Sequence, residues 1–202
     1  MSREELVQRY QTALTKREIK TDEGLQAAAI IAAQAAQEGV TCALAGGVAM
    51  HIYGYARATE DVDVLASGLI ALPAKQQLTF GGASHLVQVG AQTVTVDVIV
   101  RSDFFRGFYE AALRDAQPLP NGLRIVTPEW LVILKFLAKR SKDVLDLLWL
   151  LREPGLVDRT RIRQLLESVL GQTGAQVALA GLETYYVQAA VMAAGDENGQ
   201  PT

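Results

Sequence analysis

The chain has 202 residues, half of them apolar, and a formal net charge of −3. That length and apolar content support one packed core with a small helical extension and exclude a disordered chain. The acidic balance excludes broad nucleic-acid binding through bulk charge, and the single cysteine, Cys42, excludes an internal disulfide.

In chain order, the opening M-S-R-E-E-L lacks the basic-then-apolar order of a signal peptide, so a cytoplasmic protein is expected. Glu4 to Leu14 predicts a short amphipathic helix. Thr21 reads as the N-cap of a second helix ending near Gln37, with Gly39 as its stop. Leu25 to Ala36, the most apolar stretch by this reading, is too short and too interrupted by Gln34 to span a bilayer, so no membrane association is expected. Thr41 to Ala45 predicts a buried strand, in which Cys42 reads as a packed thiol rather than a nucleophile. Val48 to Tyr53 predicts a helix start, Tyr55 to Glu60 a loop and Val62 to Leu65 a strand. Leu69 to Gly82 carries no clear element. His85 to Val89 and Thr93 to Val100 predict a hairpin turning through Gly90-Ala91-Gln92.

Further on, Phe104 to Ala116 predicts a helix, Pro118 to Gly122 a turn-rich linker and Ile125-Val126 a last short strand. Thr127-Pro128-Glu129 is a helix start with threonine as cap and proline in the first turn. One long helix is then expected from Trp130 to Leu151, stopped by Pro154-Gly155. Arg161 to Leu170 and Ala175 to Met192 predict two more, and a frayed tail follows from Ala193. Strands and helices come first and helices last, which predicts an α+β core. The expected division is 1–120 as the core with its N-terminal helices, 121–194 as a helical part closing a cleft, and 195–202 as a disordered tail.

The chemistry concentrates around residues 46–97. Thirteen residues separate the pair Gly46-Gly47 from Asp61 and Asp63. Glycines leaving a strand let bare N–H groups approach phosphate. Acids two positions apart on a strand share a face and can share a divalent cation. Asp97 sits inside T-V-T-V-D-V-I-V, where a lone carboxylate needs a partner or an ion. Two carboxylates hold one ion, and a third lets two ions share the site. On the expected long helix, Lys135, Lys139, Lys142, Asp143 and Asp146 fall on one third of the wheel. By itself that stripe reads as a solvated face with Lys142–Asp146 pairing. Arg140 projects away from it. His51 reads as a packed or surface histidine, and Arg159, Arg161 and Arg163 as a solvated helix start.

This combination resembles the nucleotidyltransferase superfamily typified by DNA polymerase β: a Gly-Gly turn after an apolar residue, D-V-D between apolar residues, and a further acid on a later strand. Arg57-x-Thr59-x-Asp61-x-Asp63 is similar to the R-x-T-x-D-x-D of bacterial minimal nucleotidyltransferases and AbiEii-like type IV toxins. The resemblance covers about Thr41 to Leu151. It implies a mixed β-sheet flanked by helices. It implies that Gly46, Gly47 and the helix after them hold an NTP, and that Asp61, Asp63 and Asp97 bind Mg²⁺, with Mn²⁺ as the alternative ion. Asp97 would help activate the acceptor, Arg57 would meet phosphate and Thr59 would fix the acid loop. Lys135 and Lys142 would neutralise the triphosphate, with Asp143 and Asp146 orienting them or touching base or acceptor. The implied activity is transfer of a nucleoside monophosphate from NTP to tRNA or other RNA, a protein or a small molecule, in a toxin or defence setting with an antitoxin partner. The alternative is a catalytically silent binding module of the same fold. The lack of acids between Val64 and Val96 argues against a polycationic acceptor.

Overall fold

The computed structural model describes residues 18–55 and 57–198. The expected helix over Glu4–Leu14 lies outside them. The elements run α1 Thr21–Gln37, β1 Cys42–Ala45, α2 Gly46–Ile52, β2 Val62–Ala66, β3 Ala74–Gln77, β4 Gly82–Val89, β5 Gln92–Ile99, α3 Arg106–Asp115, β6 Gln117–Pro118, β7 Arg124–Ile125, α4 Pro128–Ala138, α5 Ser141–Arg152 and α6 Arg159–Asn198.

Local chemistry explains most boundaries. Asp22 and Glu23 place negative charge at the start of α1, where the helix dipole favours it. Lys20 is its N-cap and Thr21 its first helical residue, one position earlier than the sequence suggests. Gly39, at φ +71, follows its end. At α4, Pro128 occupies the first turn and the Thr127 hydroxyl accepts from the Trp130 N–H at 3.5 Å.

The seven strands form one mixed sheet in the order β3-β4-β5-β2-β1-β7-β6. β2 pairs antiparallel with β1 and parallel with β5, and β1 pairs parallel with β7. Helices cover both faces. Ala28 and Ala32 of α1 line a small cavity with Leu44 and Val64. Tyr109 of α3 and Leu131 and Leu134 of α4 line a cleft with Leu65 and Ile99. Side chains alternate across a strand, so the Val64 and Leu65 faces are opposite ones. A continuous buried cluster runs from Ile19 to Tyr186 and includes Ile31, Leu44, Val96, Trp130, Leu147 and Leu166. The fold is therefore α+β, with helices on a mixed sheet.

Several expectations change. The segment before Gly82 contains a strand, β3, fully exposed at the sheet edge. The hairpin turn is two residues, Gly90-Ala91, because Val89 pairs with Gln92. The last helices merge into α6, which breaks at Gly171 (φ +68, ψ 174) and continues to Asn198, past the expected fraying point. By length and composition Arg159–Gly195, and not Leu25–Ala36, is the segment long and apolar enough to cross a membrane. Its inward residues Ile162, Leu166 and Leu182 are fully buried in the core, while Val177, Val187 and Val191 are exposed.

The largest correction concerns the long helix after Thr127. It is two helices. Lys139 adopts the left-handed conformation (φ +55) as the C-cap of α4, and Arg140 is extended as the N-cap of α5. The wheel stripe that grouped Lys135 with Lys142 and the two aspartates therefore does not exist as drawn. A left-handed lysine is strained in a way that glycine is not. Lys139→Gly should raise the stability of the folded protein by up to about 1 kcal/mol, read as a higher urea midpoint; an unchanged or lower midpoint would contradict this account of the junction.

Candidate active site

The glycine pair and the acids meet at the edge of β1 and β2. Ala45 pairs with Asp63, so the turn leaving β1 lies beside that carboxylate. Gly46 has φ +60, and a Cβ there would overlap the Asp63 carboxyl group. A Cβ at Gly47 would overlap the Thr59 side chain. The pair is thus required by the acids and by Thr59 as well as by the turn itself. The Thr59 hydroxyl, buried, donates to the Asp61 carbonyl at 3.1 Å and lies 3.5 Å from the Asp61 carboxylate. His51 steadies the same loop. Its Nε2–H donates to the Arg57 carbonyl at 2.6 Å, and its Nδ1 accepts from the Thr21 hydroxyl at 3.0 Å.

Asp97 enters through the sheet. The parallel β2–β5 register sets Asp63 directly beside Asp97, with Leu65 beside Ile99. Asp97 also faces Ser84 across the hairpin, and the buried Ser84 hydroxyl donates to its carboxylate at 2.5 Å. Burial pushes the Asp63 carboxyl up to about 6; the charges of Asp61 and Asp97 add to this, while Lys135 and Lys142 oppose it. The three acids do not form a closed cage. Among the described residues, no group of three His, Cys, Asp or Glu side chains could hold a metal ion. Asp97 is engaged by Ser84, and Asp61 by Thr59. The neighbouring Asp63 and Asp97 nonetheless present hard oxygen donors, and Mg²⁺ is usually bound by one or two carboxylates plus substrate phosphates. The donor chemistry fits that ion.

A buried ion network forms the opposite wall. The Lys135 ammonium lies 2.9 Å from Asp143 Oδ1 and 2.6 Å from Asp146 Oδ2. Arg57 grips Asp146 through two hydrogen bonds of 2.5 and 2.7 Å. Arg140 donates to Asp143 at 2.5 and 3.3 Å. Both aspartates are fully buried. Burial alone would raise the Asp143 carboxyl, but the Arg140 hydrogen bonds and the charge and hydrogen bond of Lys135 hold it below the usual range. In a straight helix eight residues span about 12 Å, so Lys135 could not touch Asp143. The break at Lys139 brings them together. Three cations against two anions leave one net positive charge, and Lys135, Arg140 and Asp143 line the cleft that also holds Gly46 and Asp63. Lys142 is exposed in the first turn of α5; its charge reaches Asp63, but it is not part of the network. Arg140, expected to point away, is a member. Cys42 is half-buried, and burial pushes its thiol up to about 11, which suits a packed residue rather than a nucleophile.

A second groove lies beyond Asp61 and Asp97, with Glu60, Lys75, Gln76, Ser84, Thr93 and Thr95 around it. The acid-free segment from Val64 to Val96 therefore does not leave this groove free of acids: Glu60, Asp61 and Asp97 enter it from either end. The three-residue turn expected from the sequence would place His85 opposite Asp97; the two-residue turn places Ser84 there instead.

No protein-family model and no curated protein matches the chain. Among solved structures it is similar to an antigenic nucleotidyltransferase-like protein from Paracoccidioides brasiliensis, with 17% identity, a TM-score of 0.54, and coverage of 87% of this chain and 94% of that one. The chain therefore has a nucleotidyltransferase-like fold. A weaker likeness, TM-score 0.32 at 14% identity over 77% of this chain and 89% of the other, is to the antibiotic-resistance factor ANT(2'')-Ia, and nothing rests on it.

Two outcomes follow from this geometry. Removing one member of a buried ion network strands the others, so Asp146→Ala should cost about 3–5 kcal/mol of folding stability, measured by urea denaturation; a cost under 1 kcal/mol would mean the network is solvated. For Asp63, the native carboxyl takes up its proton near pH 6, against an ordinary value of 3.8. Between those values the native state holds more protons than the unfolded one, so this group's stabilising contribution falls as pH rises from about 4 to 6. Without divalent cations, the melting temperature of Asp63→Asn should gain on that of wild type across this window, and Mg²⁺ should restore wild type selectively. A pH-independent difference between the two would exclude this titration.

Proposed function

We propose that the chain is a divalent-cation-dependent nucleotidyltransferase that moves a nucleoside monophosphate from an NTP to an acceptor hydroxyl and releases pyrophosphate. The carrying observation is the Asp63–Asp97 pairing in register, set against a glycine turn whose missing Cβ is replaced by the Asp63 carboxylate. Few purely structural needs explain two strand-borne carboxylates held side by side, one lining the cleft and the other the groove beyond it.

In this reading the backbone N–H groups at Gly46 and Gly47 meet the triphosphate, and the net positive wall of Arg57, Lys135 and Arg140 balances its charge. The Lys135 ammonium has three donors, and its two aspartates leave one for an oxygen of the substrate. Asp61, Asp63 and Asp97 would hold Mg²⁺, which when bound supplies charge stabilisation to the attacking and leaving oxygens. The acceptor approaches from the groove beyond Asp97. Its oxygen forms a bond to the α-phosphorus, its proton passes to Asp97, and the bond to the bridging α–β oxygen breaks to release pyrophosphate. The acceptor class (RNA, protein or small molecule), the cytoplasmic setting and an antitoxin partner are part of the proposal through the resemblance in motif.

A silent binding module is the second reading, favoured by the absence of a closed three-carboxylate group among the described residues. Pyrophosphate release decides between them. With α-labelled NTPs, Mg²⁺ and a cell extract, wild type should release pyrophosphate and label one class of acceptor. Asp63→Asn should lower both by about 10²-fold or more. Equal labelling by the two proteins would remove the proposed site, and NTP binding without pyrophosphate release would leave the binding module.

A further inference from the structure

The cleft that starts at Gly46 and Asp63 has two chemically different halves. Lys135 and Arg140 supply charge, whereas Leu65, Ile99 and Leu131 supply hydrocarbon. Tyr109 of α3 is the one aromatic side chain lining it among the described residues. Its ring is held by a cation. The Arg101 guanidinium lies 4.7 Å from the Tyr109 ring centroid. Arg101 is itself fixed 4.7 Å from the Phe80 centroid, 5.4 Å from that of Phe105 and 2.8 Å from an Asp103 carboxylate oxygen. A planar cation fixed in this way sets the orientation of the ring it lies against.

Tyr109 is half-buried, and its hydroxyl is open to the cleft's solvent rather than enclosed and unpaired as that of Tyr186 is. Burial raises its pKa, so at neutral pH it stays protonated and able to donate. A second hollow shares Leu65, Ile99 and Tyr109 with the cleft, and Ser67, Arg101, Ser102, Arg106 and Glu110 supply its polar lining. Leu65 lies two residues beyond Asp63 on the same face of β2, about 7 Å along the strand.

We propose that Tyr109 is the stacking platform for the base of the bound nucleotide, with its hydroxyl and the adjoining hollow facing the edge of that base. The assignment rests on the nucleotidyltransferase reading above. Phosphates need cations and N–H donors, which lie at the glycine turn and the ion network. A base needs a flat, polarisable, pre-oriented surface with polar groups at its margin, which is what Tyr109 and the serines of that hollow present. The step from Asp63 to Leu65 leaves a ribose between them.

Calorimetric titration with ATP, UTP and inorganic tripolyphosphate, each with Mg²⁺, separates base from phosphate recognition without any acceptor. Wild type should bind ATP at least about tenfold more tightly than tripolyphosphate. Tyr109→Leu should lose about tenfold in ATP affinity and leave tripolyphosphate unchanged, which also shows that the variant is folded. Tyr109→Phe keeps the ring and should keep most of the ATP affinity. Unchanged ATP affinity in Tyr109→Leu, or equal loss for ATP and tripolyphosphate, overturns the assignment. The wild-type ratio needs no variant: ATP binding no tighter than tripolyphosphate overturns it as well. If wild type binds neither compound, the nucleotide reading fails as a whole, an outcome distinct from binding both equally.

Discussion

The cleft depends on one buried ammonium. Lys135 sits between Asp143 and Asp146, and that contact is possible only because the helix breaks at Lys139 and Arg140. A buried charge without partners is costly, and a buried network is tolerated only when each member is satisfied. Arg57 and Arg140 complete it, one from the loop before the acids and one from the helix junction itself. The network therefore ties the loop that leads into Asp61 and Asp63 to the helices that roof the cleft. It joins the sheet half of the molecule to its helical half at the place where chemistry is proposed.

The second constraint is close approach. Gly46 yields its side-chain space to the Asp63 carboxylate and Gly47 yields its own to Thr59. The acids are crowded against a backbone turn rather than spread in solvent. Burial and the neighbouring carboxylates then raise the Asp63 carboxyl to about 6, so electrostatic free energy is stored at one point of the site. A cation arriving with phosphates would relieve that crowding. The two walls are complementary in sign: carboxylates on the strands, and a net positive cluster on α4, α5 and the Arg57 loop.

Much of this was legible in the chain because it depends on local rules. The strand before Gly46, the acids two apart at the start of β2, the threonine cap and proline of α4, and the hairpin at Gly90 all follow from short-range sterics and hydrogen bonding. The helix break at Lys139 was not legible. No glycine or proline marks it, and Lys139-Arg140-Ser141 is acceptable in a helix. The break is favoured by ion pairing between residues eight and eleven positions apart, which only the folded arrangement supplies. The partner of Asp97 was missed for a narrower reason. A two-residue turn in place of three shifts every cross-strand pair by one, so Ser84 rather than His85 stands opposite.

The amino-acid sequence by itself determined the α+β class, the glycine turn and the identity of the acids, because periodicity and backbone sterics act within a few residues. Only the tertiary structure decided which charges meet. It turned a solvated-looking stripe of lysines and aspartates into a buried lock, made Arg140 a member and left Lys142 exposed. It also brought Tyr109, held by Arg101, into the cleft that holds Asp63. Burial sets the strength of a charge pair and the need for it, and burial is a property of the whole packed chain rather than of any segment.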